Sequence, residues 1–160
     1  MGLFGKKKSE PCICKAYQKG TVVAMKDVDD PTFAQEILGP GVAIEPSEGV
    51  LYAPVNGTVS LVADTFHAVS ITCGCGAELL MHLGIDTVEL KGEGFEAHVK
   101  AGDKVSAGDK LVTFDMDMIK GKGYKLTTPL IVCNKDDFAS IEPVASGEVA
   151  VGDDLLKLQK

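Results

Sequence analysis

Three histidines stand in the chain, and two of them fall in runs that could bring their rings together. His67-Ala-Val-Ser-Ile-Thr72 and Glu78-Leu-Leu-Met-His82 both read as strands, and Cys73-Gly-Cys-Gly76 lies between them. A two-residue turn with Gly74 at its first central position suits a type II′ hairpin. That register sets Thr72 against Ala77, Ser70 against Leu79, Val69 against Leu80 and His67 against His82. Directly opposed side chains have Cβ atoms about 4.5–5.5 Å apart, so both imidazoles could reach one phosphoryl group or one metal ion. Val69 and Leu80 on the same face would hold the rings near neutrality, as nucleophiles or ligands. Asp86, four residues beyond His82, reads either as a turn residue or as a gatekeeper whose charge tunes His82. His98, in Ala97-His-Val-Lys100, has no partner in view and reads as a surface residue.

The elements that must position this pair are short. Apolar runs recur between turn signals at Thr21–Ala24, Val42–Ile44, Val50–Tyr52, Val55–Val62, Val69–Thr72, Leu79–Leu83, Leu111–Phe114 and Pro129–Cys133. Regular short strands with glycine turns predict an all-β, antiparallel sandwich or barrel. A glycine-punctuated unit recurs at Ala53–Val59, Val99–Leu111 and Ser146–Leu155, and resembles the hammerhead-like half-barrels of biotinyl and lipoyl carrier domains. Ala24-Met25-Lys26 matches the modified-lysine site of those carriers only in part. Asp30–Gly39 predicts a two-turn helix, with an N-cap candidate, Pro31 at the first helical position and a glycine stop. One-turn helices are expected at Asp115–Lys120 and Asp136–Ser140. Residues 1–16, with Lys6-Lys-Lys8 beside Leu3 and Phe4, read as a mobile tail ahead of a domain over 17–160. Its basic residues could make weak contact with an anionic membrane.

Composition narrows the function. The 160 residues carry 16 basic and 23 acidic side chains for a net charge of −7, and every basic residue is lysine. A phosphate backbone would be repelled, and the guanidinium forks that read base edges are missing, so nucleic acid is excluded as a partner. Five cysteines with no apolar leader ahead of them lead to the expectation of a reduced, cytoplasmic setting. The cysteines form two Cys-x-Cys pairs, Cys12/Cys14 and Cys73/Cys75. Structural zinc sites favour two or more intervening residues, so these read as reduced, non-ligating thiols, and Cys133 in its apolar run as buried.

Thr65-Phe-His-Ala-Val-Ser-Ile71 followed by Glu78-Leu-Leu-Met-His-Leu-Gly-Ile-Asp-Thr-Val-Glu-Leu-Lys-Gly-Glu-Gly-Phe95 resembles the signature of the glucose-type IIA domain of the bacterial phosphoenolpyruvate-dependent sugar phosphotransferase system. The similarity runs from about Thr21 to Lys160 and includes Gly41-Val-Ala-Ile-Glu-Pro46, Ala53-Pro-Val-Asn-Gly-Thr58 and Thr127-Thr-Pro-Leu-Ile-Val132. The resemblance implies a phosphocarrier that takes a phosphoryl group from the phosphocarrier protein HPr onto His82 and passes it to a cysteine of the IIB domain of a sugar permease. His67 would contact the phosphoryl group, Thr65 would orient His67, and the Gly84 carbonyl would hold His82. Phe33, Ile37, Leu38, Phe66, Val69, Leu80 and Val88 would form the apolar patch on which such domains dock partners, with regulated permeases or kinases among them. The chain departs from the pattern at Phe66, where relatives usually carry asparagine, and at Val69, where phenylalanine is frequent. Both changes bear on partner preference rather than on chemistry. No cofactor is required, and His67 with His82 could hold zinc where a partner supplies a carboxylate.

The competing reading is a zinc hydrolase of the lysostaphin-like type, built on His82-Leu-Gly-Ile-Asp86. It needs His67 or His82, Asp86, a third ligand and an open position for water. The His-x-His pair of such enzymes is missing, since His98 stands alone.

Overall fold

The computed structural model describes residues 10–160. The short apolar runs become fourteen strands: β1 (Cys12–Lys15), β2 (Gly20–Ala24), β3 (Gly41–Pro46), β4 (Val50–Tyr52), β5 (Gly57–Val62), β6 (Ala68–Cys73), β7 (Glu78–His82), β8 (Phe95–Ala97), β9 (Lys104–Val105), β10 (Lys110–Phe114), β11 (Thr128–Val132), β12 (Ser140–Pro143), β13 (Glu148–Val149) and β14 (Asp154–Gln159). Every pairing is antiparallel. An eight-stranded sheet runs β13-β2-β3-β11-β7-β6-β5-β9, and two three-stranded sheets run β1-β14-β12 and β4-β10-β8. This is the all-β sandwich that the spacing of turns predicts. Two of the recurring glycine units meet directly, with Gly57 opposite Val105 and Thr58 opposite Lys104.

The first helix is shorter than expected, and the second stands where it was read. The Asp30 carboxylate accepts from the Thr32 N–H at 2.8 Å and Pro31 opens the turn, but α1 covers only Pro31–Ala34, and the chain bends out through Glu36 at φ 56°. α2 spans Met116–Gly121, capped by Asp115, whose side chain accepts from the Met118 N–H. The third expected turn is a single 3-10 turn at Lys135–Asp137.

Three expectations need correction. Part of the stretch 1–16 read as a mobile tail is built into the fold, because Cys12–Lys15 pairs with β14 and Cys12, Cys14 and Ala16 are buried. Alternate inward positions on so short a strand carry too little periodicity to announce it. The lysine run and its membrane contact lie outside the described residues. The thiols are not all reduced, since Cys12 and Cys75 form a disulfide. Cys133, read as buried, is exposed, because β11 ends at Val132, one residue before it.

The main core lies between the sheets, with Ile44, Leu51, Ile71, Leu79, Met81, Leu83, Leu111, Leu130 and Leu155 all fully buried. A second, smaller cluster of Met25, Val28, Phe33, Ala43, Ile85 and Ile131, with Val23 and Leu80 against it, covers the other face of the large sheet. This cluster is the floor on which His82 sits. No helix among the described residues is long and apolar enough to cross a membrane.

Candidate functional site

The hairpin that carries the histidines is offset by one residue from the register read in the sequence. Ala68 lies opposite His82, Val69 opposite Met81, Ser70 opposite Leu80 and Ile71 opposite Leu79. The Cys73 N–H donates to the Ala77 carbonyl at 2.8 Å and the Gly76 N–H to the Cys73 carbonyl at 2.9 Å, so the loop is the three residues Gly74–Gly76, with Gly76 at φ 99°. A three-residue loop closed by a left-handed glycine is the second common hairpin connection. A one-residue offset exchanges the faces of a strand, and Val69 is accordingly fully buried in the main core rather than beside the histidines. Leu79, Met81 and Leu83 also point into that core, which leaves Leu80 and His82 on the face covered by Phe33 and its neighbours.

His67 reaches His82 by another route. It precedes β6 and follows Phe66, whose φ of 60° turns the chain, while its carbonyl accepts from the Leu83 N–H at 2.6 Å. The two imidazole centroids stand 4.9 Å apart, nearly edge to face at 78°. The Phe33 ring packs on His82 at 5.1 Å.

Each ring is held at one nitrogen. His82 Nδ1 lies 2.7 Å from the Gly84 carbonyl, which can only accept, so Nδ1 carries the proton and Nε2 the lone pair. His67 Nδ1 is 2.5 Å from Thr65 Oγ1. Burial pushes the His82 pKa down from its ordinary value, opposed by the Gly84 hydrogen bond and by the charges of Asp30 and Asp86. His67 is pushed down to about 4, by burial first and by its neighbour His82 second. Both rings are therefore neutral near pH 7. Asp30, read from the sequence only as a helix cap, is thus also a charge acting on His82. Its capping signature gave no hint of that second role.

The remaining sequence candidates divide. Gly84 adopts φ 81°, and a Cβ there would stand 2.6 Å from Thr87 Cγ2 and 2.7 Å from the Lys125 carbonyl, so the acceptor for His82 requires glycine. Asp86 is exposed at φ 61°, where it begins the 3-10 turn Thr87–Leu90. Ile37, Leu38, Phe66 and Val88 are exposed apolar side chains, Leu80 is half-buried and Phe33 is buried beneath His82. His98 is exposed and shares a 3.0 Å hydrogen bond with Thr113. Among the described residues the one cluster of three potential metal ligands is Cys12, Cys73 and Cys75, so His67, His82 and Asp86 do not assemble the zinc set a hydrolase would need.

An antiparallel sandwich that presents two neutral, oriented imidazoles on one face defines a site suited to nucleophilic or ligand chemistry at nitrogen. The chain belongs to the EIIA 1 family of the phosphoenolpyruvate-dependent sugar phosphotransferase system, whose family model matches residues 13–138. The glucose-specific EIIA component of Halalkalibacterium halodurans is 50% identical over 134 residues, covering 84% of this chain and 78% of that protein. The beta-glucoside-specific EIIBCA component of Dickeya chrysanthemi is 47% identical over 139 residues, covering 87% of this chain but 22% of that protein. The chain thus spans about a fifth of that larger relative. Glucose permease IIA from Mycoplasma capricolum superposes with a TM-score of 0.87 at 35% identity, over 93% of this chain and 96% of that one.

Proposed function

We propose that His82 is the phosphoryl acceptor of this IIA protein, taking the group from phospho-HPr and giving it to a cysteine of a permease IIB domain in the cytoplasm. The observation that carries this reading is the hydrogen bond from His82 Nδ1 to the Gly84 carbonyl, which leaves the Nε2 lone pair free beside a second imidazole. In the accepting step Nε2 forms the N–P bond as the N–P bond of the donor histidine breaks, and that electron pair returns to the donor nitrogen. In the giving step a IIB thiolate forms the S–P bond and the pair returns to Nε2. No strong base is needed, because the nucleophile is already deprotonated. Thr65 donates its hydroxyl proton to His67 Nδ1, which leaves His67 Nε2–H to donate to a phosphoryl oxygen as charge builds there. Asp86 tunes His82, and the exposed apolar side chains Ile37, Leu38, Phe66 and Val88 receive partners. That beta-glucoside-specific EIIBCA relatives contain a matching segment supports a IIB partner.

The test is reconstitution with phosphoenolpyruvate, enzyme I and HPr, reading acid-labile phosphate by mass. His82→Gln abolishes labelling, whereas His67→Gln is labelled but donates to IIB slowly. Labelling of the His82 variant at the wild-type rate sinks the assignment.

The two Nε2 atoms also fit half of a zinc site, to which a partner would add a carboxylate, provided that His67 moves its proton to Nδ1 and Thr65 Oγ1 accepts it there. Phosphorylation removes the His82 ligand nitrogen, so zinc-assisted partner binding and phosphoryl transfer exclude each other. Titration calorimetry with zinc before and after phosphorylation checks this, and equal binding in both forms counts against it.

A further inference from the structure

At the far end of the same hairpin three sulfurs converge. Cys12 on β1 is bonded to Cys75, and the Cys73 Sγ lies 3.6 Å from the Cys12 Sγ, with all three sulfurs within 4.8 Å of one another. The Cys75 N–H points at Cys73 Sγ from 3.3 Å. Cys12 and Cys73 come from segments 61 residues apart, so the gathering is a product of the fold and not of the Cys-x-Cys spacing. We propose that, once the Cys12–Cys75 bond is reduced, Cys12, Cys73 and Cys75 form a three-thiolate site for one thiophilic divalent cation of the Zn²⁺ class.

The geometry suits that ion. Zn–S bonds of about 2.3 Å put ligand sulfurs about 3.8–4.0 Å apart, close to the present Cys12–Cys73 separation. A dithiol reductant supplies the two electrons that split the disulfide and is itself oxidised to a cyclic disulfide. Each thiol then loses its proton to solvent as its sulfur takes the metal. Three thiolates and a divalent ion leave one negative charge, and the Lys160 ammonium stands beside the loop, 3.3 Å from where a Cβ on Gly76 would lie. Two surface depressions give access, one lined by Glu10, Cys12, Cys75 and Lys160 and the other by Lys15, Asn56, Cys73 and Cys75. In a reducing compartment disulfides seldom persist, so the disulfide and the metal are two alternative occupants of one sulfur cluster.

Cadmium titration of the full chain tests this, because the thiolate-to-cadmium charge-transfer band in the ultraviolet reports sulfur ligands and is blind to His67 and His82. Reduced, desalted protein gives a band that saturates at one equivalent and is bleached by excess Zn²⁺, and the unreduced protein gives none. Loss of an outer partner already costs about 10–100-fold in metal affinity, so Cys73→Ser weakens binding more than about 100-fold, as do Cys12→Ser and Cys75→Ser. Cys133→Ser, outside the three-sulfur cluster, changes nothing, and far-ultraviolet circular dichroism shows that each variant is folded. Absence of the band in folded, reduced protein, full intensity in Cys73→Ser, or an equal band before reduction overturns the site.

Discussion

Which nitrogen of His82 is free is decided by what its other nitrogen touches. A carbonyl at 2.7 Å fixes the proton on Nδ1, and burial keeps a second proton off the ring. His67 is more strongly perturbed, pushed down to about 4. A histidine whose folded pKa lies below its unfolded value binds fewer protons in the native state, so its contribution to stability is present above the unfolded pKa and is lost as pH falls toward the folded one. Stability therefore declines as pH drops from about 6.5, the unfolded value, toward the folded values of both rings, and His67→Gln flattens that decline in denaturant titrations. Phosphorylation of His82 replaces a neighbour that disfavours charge with a phosphoryl anion that favours it, so the His67 pKa rises well above about 4. Proton–nitrogen correlation spectra across a pH series, with and without phosphorylation, report that rise. An unchanged His67 titration would mean that this ring does not touch the group.

At the scale of elements, the hairpin shows where sequence reading succeeds and where it stops. Both strands and both histidines were legible, because alternating and apolar runs bounded by glycine are a strong local signal. The register was not, because Cys-Gly-Cys-Gly accommodates a two-residue or a three-residue loop, and only tertiary packing of Met81 and Leu79 against the core chooses. The pairing of His67 with His82 was reached through a register the molecule does not use. What produces it is Phe66 at φ 60°, a conformation no rule of propensity assigns to phenylalanine. The Thr65 and Gly84 contacts came from family resemblance alone, and their geometry rests on bends too local to leave a periodic trace. Gly84 makes the sharpest element-scale prediction, since a left-handed φ and two contacts under 3 Å leave no room for a methyl group. Gly84→Ala shifts the carbonyl that orients His82. The rate of phosphoryl acceptance falls by roughly 10²-fold, the order expected for a misplacement of about 1 Å, while circular dichroism stays dominated by strand. An alanine variant accepting phosphate at the wild-type rate would show that the carbonyl does not orient the ring.

On the scale of the whole molecule, the sheet system is closed by strands from the two extremes of the described chain. β14 pairs on one side with β1 and on the other with β12, and it buries Leu155, Leu156 and Leu158 in the main core. None of these strands was listed among the apolar runs of the sequence, because Cys-Ile-Cys-Lys in β1 and Ser-Ile-Glu-Pro in β12 offer no continuous apolar run, and β14 opens in a charged segment, Asp153-Asp-Leu-Leu-Lys157. The histidine site stands on the eight-stranded sheet, built from β7, β6 and their neighbours, so the closing sheet supports the fold without touching the chemistry. Leu156→Ala separates the two. Truncating a fully buried leucine costs about 2–5 kcal/mol through lost burial and an incompletely collapsed cavity, against a total stability of about 5–15 kcal/mol for an ordinary domain. The denaturation midpoint falls by a corresponding amount with little change in slope, while the fraction still folded accepts phosphate at the unaltered rate per molecule. If instead acceptance fell and stability held, the closing strands would have to be coupled to the His67–His82 pair through the shared core, and the independence argued from the sheet order would be lost.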